Sequence, residues 1–150
     1  MVYQSYTRLN RDKCVIKTFS KKISSILFDY NLNGNVLERP EFVRDLGLTF
    51  DSKFDFIEHV RQTSKLAYRS LGFVIRNSSD FLDVSTTKSL YFAYVRPRLE
   101  YCSVVWSPLY KVHVMALEKI QRRALRYLAY KLDRVYPVRG TSNDILYEHF

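Results

Sequence analysis

Basic side chains at helical spacing are the residues in this chain best suited to binding a ligand. From about Val112 to Tyr130 the apolar residues repeat with a helical period, and the cations fall within an arc of about 100° on the opposite side. These cations are Lys119, Arg122, Arg123 and Arg126. A guanidinium can donate paired hydrogen bonds to phosphate oxygens, and the arc contains no Asp or Glu. The pattern favours contact with nucleic acid over a solvated face or an anionic lipid surface, and both of these alternatives stay open.

An earlier segment, from about Phe54 to Arg76, carries a second basic face. Its apolar positions, Ile57, Val60, Ala67, Leu71 and Val74, keep helical spacing. Its cations lie on a separate arc about 80° wide, so one face can be buried while a neighbouring face stays basic. They are Arg61, Lys65, Arg69 and Arg76.

The sequence offers little that could form a catalytic centre or a metal site. It has no nucleophile elbow and no P-loop, and its four glycines could hardly supply a Gly-rich phosphate loop. The three histidines, His59, His113 and His149, are far apart, and no two aspartates are adjacent. We therefore expect no catalytic residue, no bound metal and no cofactor in this chain.

Composition indicates a folded, basic protein of about one domain. The 150 residues are 47% hydrophobic and carry a net charge of +9, of which residues 111–139 contribute +6. A concentrated basic block is typical of a polyanion-binding protein. No apolar run approaches the roughly 18 residues of a transmembrane helix. Cys14 and Cys102 are predicted to be reduced, buried thiols of an intracellular protein, without a choice between nucleus and cytoplasm.

The order of the elements predicts an α+β fold. Alternating residues predict strands at 13–20, at 26–39 around the hairpin signal Asn33-Gly34, and at 42–51, where Gly47 indicates a bulge or a close backbone approach. Helices should follow at 54–76, from a cap at Asp83 or Ser85 to Val95, and at 112–130. Pro97 should stop or kink the second helix, and the next residues are expected to continue helically as far as Ser107-Pro108. The predicted regions are 1–53, a helical region 54–136 and a tail 137–150.

The segment RLEYCSVVWSP, residues 98–108, is predicted to be packed in the interior. It contains the single Trp of the chain, Trp106, next to Val104 and Val105.

Several motifs together resemble the end of a reverse transcriptase of a non-LTR retrotransposon, most closely of the jockey-like group. They are LNRDKC at 9–14, a Tyr-x-x-x-Gly hairpin at 30–34, RDLGLTFD at 44–51, FIEHVRQTSKLAYRSLGFVIRN at 56–77, LYFAYVRPRLEYCSVVWSP at 90–108 and LEKIQRRALRYL at 117–128. The resemblance covers about residues 8–130. It is the order and spacing of these pieces, rather than any single one, that makes it specific.

The resemblance implies roles for particular residues. Lys13 would lie near the incoming triphosphate and could donate a proton to the pyrophosphate leaving group. Asp45, Leu46 and Gly47 would match the element that grips the primer end. Residues 1–53 would be the remnant of the palm, and the three helices would be a thumb-like bundle that holds the RNA/DNA template–primer duplex. The nucleic-acid contacts would then come from Arg61, Lys65, Arg69, Lys119, Arg122, Arg123 and Arg126.

The chain departs from the family in one respect, and this departure concerns the catalytic aspartates. The full-length family uses Mg²⁺ held by palm aspartates, two of them in an aromatic-x-Asp-Asp turn. That turn should precede Leu9, and Asp12, Asp29, Asp45 and Asp51 do not stand in such a motif. We therefore expect a fragment of an RNA-directed DNA polymerase that is inactive alone and binds duplex at most.

The alternative is a domesticated helical module that binds the missing palm or another protein through exposed apolar surface. An exposed apolar face on residues 13–50 would favour this module. A continuous basic groove between the first and third helices would favour duplex binding.

Overall fold

The computed structural model describes residues 10, 13–22 and 28–147. The chain divides into two compact units, Met1–Phe56 and Ile57–Phe150. Short antiparallel strand pairs in the first unit are followed by helices in the second, so the predicted α+β class is confirmed. Leu9, Arg11 and Asp12 of the LNRDKC motif, and positions 26 and 27 of the predicted second strand, lie outside the described residues.

Two small hairpins form the described strands of the first unit. Strands β1 (Asn31–Leu32) and β2 (Asn35–Val36) pair antiparallel around Asn33-Gly34, as the sequence predicts. Strands β3 (Val43–Asp45) and β4 (Leu48–Phe50) pair with Asp45 opposite Leu48. The segment 13–20 is not a strand, because its pairing in the described residues is limited to one parallel bridge between Val15 and Glu38.

The prediction of one strand over 42–51 is wrong. Leu46 and Gly47 have positive φ angles of 45° and 84°, which places both residues in the left-handed region. A two-residue turn of this kind matches the twist of the strands that it joins, and so the segment folds back as a hairpin. Gly47 therefore serves a turn and not a bulge.

Phenylalanine rings form an aromatic cluster in the first unit, in which Phe56 is buried and Phe19 and Phe54 are about half exposed. Phe19 stacks on Phe54 at a centroid distance of 4.3 Å, and Phe50 contacts Phe56 edge to face at 5.6 Å. Asp51 closes the segment after β4, since its carboxylate accepts the N–H groups of Lys53 and Phe56. Burial by itself raises the pKa of Asp51, but these backbone donors outweigh it and hold the pKa below the usual value.

The second unit is built from helices that begin and end at recognisable signals. Helix α1 spans Ile57–Asn77, α2 Val84–Tyr94, α3 Arg96–Glu100, α4 Ser103–Trp106, α5 Lys111–Asp133 and α6 Asn143–Tyr147. Asp83 caps α2 by accepting the N–H of Ser85 at 2.9 Å. Pro97 lies in the first turn of α3, where its missing N–H costs nothing, and α2 ends before it as predicted.

The main core of this unit joins α1, α2 and α5. Its buried members are Ala67, Leu71, Val74, Tyr91, Val95, Ile120 and Ala124. The apolar stripes of α1 and α5 supply most of them, as their periodicity predicts. A smaller cluster of Leu125, Ala129 and Leu146 packs α6 against α5.

Two buried polar side chains tie α5 to the end of α1. The Tyr127 hydroxyl donates to the carbonyl oxygen of Ile75 at 3.1 Å and lies 3.3 Å from the Ser78 hydroxyl. Lys131 is buried, and its ammonium donates to the carbonyl oxygens of Ser79 and Phe81. The Tyr127 bond satisfies a carbonyl in the last turn of α1, and the Lys131 bonds satisfy carbonyls of the loop that follows this helix.

The prediction of a packed segment at 98–108 is only partly correct. Trp106 is 2% exposed, and its indole N–H donates to the Tyr101 carbonyl oxygen at 2.7 Å. Val104, however, is 97% exposed, and Val105 is exposed as well. Cys102 has a left-handed backbone that separates α3 from α4, so only part of this segment can face the core. The prediction of buried cysteines is also wrong, because Cys102 is exposed and Cys14 only partly buried, although both thiols are free.

Candidate nucleic-acid interface

A basic groove runs between α1 and α5 in the second unit. It has a volume of about 930 Å³. The C-terminal segment that follows α5 forms part of its wall through Tyr136 and Arg139. Its cations are Lys65 and Arg69 of α1, Lys119, Arg122, Arg123 and Arg126 of α5, and Arg139. No Asp or Glu lines it among the described residues. Lys65 and Arg69 of the first predicted basic face therefore meet all four cations of the other predicted face along one groove.

The basic surface continues past Arg69 into a neighbouring depression. A shallower depression there is lined by Arg69, Arg76, Arg98 and Arg123, again without a carboxylate among the described residues. Arg69 and Arg123 belong to both depressions. A track of positive charge thus extends from Arg98 to Arg139, which suits an extended polyanion better than a small anion.

The groove cations that lie on α1 and α5 fall into two groups. Lys65, Arg69 and Lys119 are exposed, and none has an ion-pair partner among the described residues. The other group is held in position. Arg122 Nε donates to Asn143 Oδ1 at 3.0 Å, Arg126 Nη2 donates to the Pro137 carbonyl oxygen at 2.8 Å, and the Arg123 guanidinium lies 4.8 Å from the centre of the Tyr68 ring.

Arg126 departs from the expected orientation toward solvent. Its side chain is half-buried, because it reaches the carbonyl of Pro137 after the chain turns back beyond α5. Its charge still lines the groove, but part of its hydrogen-bonding capacity is used within the protein. The C-terminal segment therefore contributes to the site, although its sequence has no periodic pattern.

Arg61 lies outside the groove-lining residues and is already paired. Its Nε and Nη2 atoms donate to the two carboxylate oxygens of Glu58, both at 2.7 Å. Hydrogen bonds from Arg61 and Gln62 lower the pKa of Glu58 to about 2. A cation that is neutralised by a bidentate carboxylate is a weaker phosphate ligand than its unpaired neighbours.

Four residues given roles by family resemblance lie in the first unit. Asp45 ends β3, and Leu46 and Gly47 form the exposed turn between β3 and β4. Lys13 is exposed, and its backbone N–H donates to the carbonyl of Asn10. Their assigned roles stay predictions.

The residues present do not fit the Mg²⁺ centre of the full-length family. Among the described residues, no three His, Cys, Asp or Glu side chains are grouped so that they could hold a metal ion. We therefore derive no polymerisation step for this chain.

Some residues of the basic surface were not predicted from the sequence pattern. Tyr68 follows the buried Ala67 and precedes Arg69, so its position on the helix could have placed it beside the basic arc. Arg98 and Arg139 carry no such signal, because they lie in a five-residue helix and in a non-helical segment. Their part in the basic surface comes only from the packing of distant segments.

Comparison with known proteins supports a relationship to reverse transcriptases. The chain is 25% identical over 138 residues to the probable RNA-directed DNA polymerase from transposon BS of Drosophila melanogaster. The match covers 90% of this chain but 15% of the Drosophila protein. No protein-family model matches the chain, and no solved structure matches it.

The length and hydropathy of the helices bear on the lipid alternative. Within the described ranges, no helix is long and apolar enough to cross a bilayer. A helix lying on an anionic membrane surface stays an alternative for α5.

Proposed function

We propose that the second unit binds a template–primer duplex without regard to sequence, as the thumb of a non-LTR, jockey-like reverse transcriptase. The observation that carries this proposal is the carboxylate-free groove in which the cations of α1 and α5 meet. Phosphates are the natural ligands of such a surface, and contacts with phosphates carry no base information. The similarity to a transposon polymerase supports the same function.

The two exposed lysines of the groove, Lys65 and Lys119, give the cleanest test. A duplex of about ten base pairs is titrated by fluorescence anisotropy at several salt concentrations, since each phosphate contact contributes about −0.9 to the log–log slope. Lys65→Ala with Lys119→Ala should weaken binding and reduce the slope by up to about 2. Stability should change little, because neither side chain is buried.

A matched control removes the same charge elsewhere. Lys21 and Lys22 are exposed and belong to the other compact unit. Lys21→Ala with Lys22→Ala should leave the affinity and the slope close to those of the parent. Equal effects of the two double variants would mean that net charge, and not the groove, governs binding. Binding to anionic vesicles without binding to duplex would favour the membrane alternative.

A second candidate function is a protein-interaction module built on the first unit. Phe28, Val36 and Leu46 are all more than half exposed, at 64%, 60% and 81%. Exposed apolar side chains of this size are typical of interaction sites when they form a patch. A saturable complex between this chain and the catalytic portion of the Drosophila polymerase, weakened by Leu46→Ser, would favour this candidate.

A further inference from the structure

Two tyrosine rings form a parallel stack next to the basic groove. The ring centroids of Tyr130 and Tyr136 are 4.2 Å apart, and their planes differ by 11°. Tyr130 is half-buried, whereas Tyr136 is 57% exposed and lines the groove. The stack therefore presents an outer aromatic ring at the edge of a cationic surface.

The backbone after α5 is shaped so that Tyr136 returns to the helix. Arg134 has a left-handed conformation with φ of 58°, and its N–H donates to the Tyr130 carbonyl oxygen at 2.8 Å. The chain reverses at this point, and the hydrogen bond from Arg126 to the Pro137 carbonyl fastens the residue that follows Tyr136. The Tyr136 ring is thus held by its stack with Tyr130 and by the anchored backbone of Pro137, without the help of a ligand.

An exposed ring in this position is suited to stacking with a nucleobase. Every base has a π face, and stacking on an aromatic side chain adds affinity without reading sequence. Paired bases inside a duplex already stack on one another, whereas an unpaired base beyond the duplex exposes a free π face to Tyr136. The other exposed tyrosine of the groove, Tyr68, lies under the Arg123 guanidinium, which leaves Tyr136 as the better platform of the two.

We propose that Tyr136 stacks an unpaired nucleobase, so that the groove prefers a duplex with a single-stranded tail to a blunt duplex. This inference rests on the proposed function, because the phosphates must first be held by the groove cations. The positive track would bind the duplex, and the tyrosine stack would receive the first base beyond it.

The test compares one duplex in a blunt form with the same duplex carrying a short unpaired tail at either strand end. The parent protein should bind a tailed form at least about fivefold more tightly, the lower limit for one stacked base. Tyr136→Leu should abolish this preference, so that the variant binds blunt and tailed duplexes equally, whereas Tyr136→Phe should keep it. A 2-aminopurine base at the first tail position should lose fluorescence on binding to the parent but not to Tyr136→Leu.

The outcomes separate this inference from the proposed function. Equal binding of blunt and tailed duplexes, with salt dependence intact, would overturn the stacking role and leave duplex binding standing. A preference that survives Tyr136→Leu would also overturn it. Failure of the parent to bind any of these duplexes would overturn both. Thermal melting of each variant shows that the fold is retained, as expected for an exposed ring.

Discussion

At the scale of single residues, burial separates side chains that look alike in the sequence. Lys131 and Lys119 both lie on α5, yet Lys131 is 3% exposed and binds backbone carbonyls, whereas Lys119 lines the groove. Arg61 and Lys65 lie one turn apart on α1, but only Arg61 has a carboxylate partner. The number of cations therefore overstates the number available to a ligand.

Trp106 is a buried side chain whose removal should strongly lower the free energy of unfolding. Trp106→Ala should lower the free energy of unfolding by about 3–5 kcal/mol, because it empties a buried site and leaves the Tyr101 carbonyl without its indole donor. Chemical denaturation followed by circular dichroism measures the change. The neighbouring Val104→Ala is the control and should change stability by less than about 0.5 kcal/mol, since Val104 is almost fully exposed. Equal effects of the two variants would contradict the packing of Trp106.

At the scale of elements, residues at the ends of the strands and helices determine where each element stops and where the chain turns. The Leu46-Gly47 turn divides a predicted strand into a hairpin, and the left-handed Cys102 divides a predicted helix into α3 and α4. The left-handed Arg134 ends α5 and sends the chain back along it. Each of these residues has a positive φ, which the alternation of apolar residues does not reveal.

The cap at Arg134 leads to a prediction about stability. Glycine adopts this left-handed conformation at no steric cost, whereas glycine also gives the unfolded chain more conformational freedom. The relief of strain is the larger of the two effects. Arg134→Gly should therefore raise the free energy of unfolding by about 0.5–1 kcal/mol. Arg134→Ala removes the same charge but keeps the Cβ atom, and it should give no such gain. Thermal or urea unfolding of the three proteins tests this. A gain in Arg134→Ala as large as in Arg134→Gly would show that charge, and not backbone strain, is responsible.

At the scale of the whole molecule, the chain spans 15% of the Drosophila polymerase that it resembles. Template-directed synthesis requires carboxylates that hold two metal ions, and no two aspartates of this chain are adjacent. We therefore predict no incorporation of deoxynucleotides by the 150-residue protein on any template–primer, with Mg²⁺ or with Mn²⁺. Incorporation by the pure protein that is lost in a defined point variant would contradict this. Duplex binding without synthesis is the expected combination.

Features that depend on local periodicity can be predicted from the sequence alone. The apolar stripes of α1 and α5 predict both helices and the buried positions Ala67, Leu71, Ile120 and Ala124, because a helix repeats every 3.6 residues. Asn33-Gly34 predicts a hairpin and Pro97 the end of α2 for equally local reasons. The basic arcs of the two helices were also visible in this way.

Which charges meet, and which already bind groups within the protein, depends on tertiary packing. The meeting of Lys65 with Lys119 along one groove depends on how α1 packs against α5, and periodicity carries no information on that packing. The hydrogen bonds of Arg122 and Arg126 join residues that are 21 and 11 positions apart. They depend on a chain reversal that no sequence motif predicts. The stack of Tyr130 and Tyr136 follows from the same reversal, because the left-handed turn at Arg134 brings the two rings together.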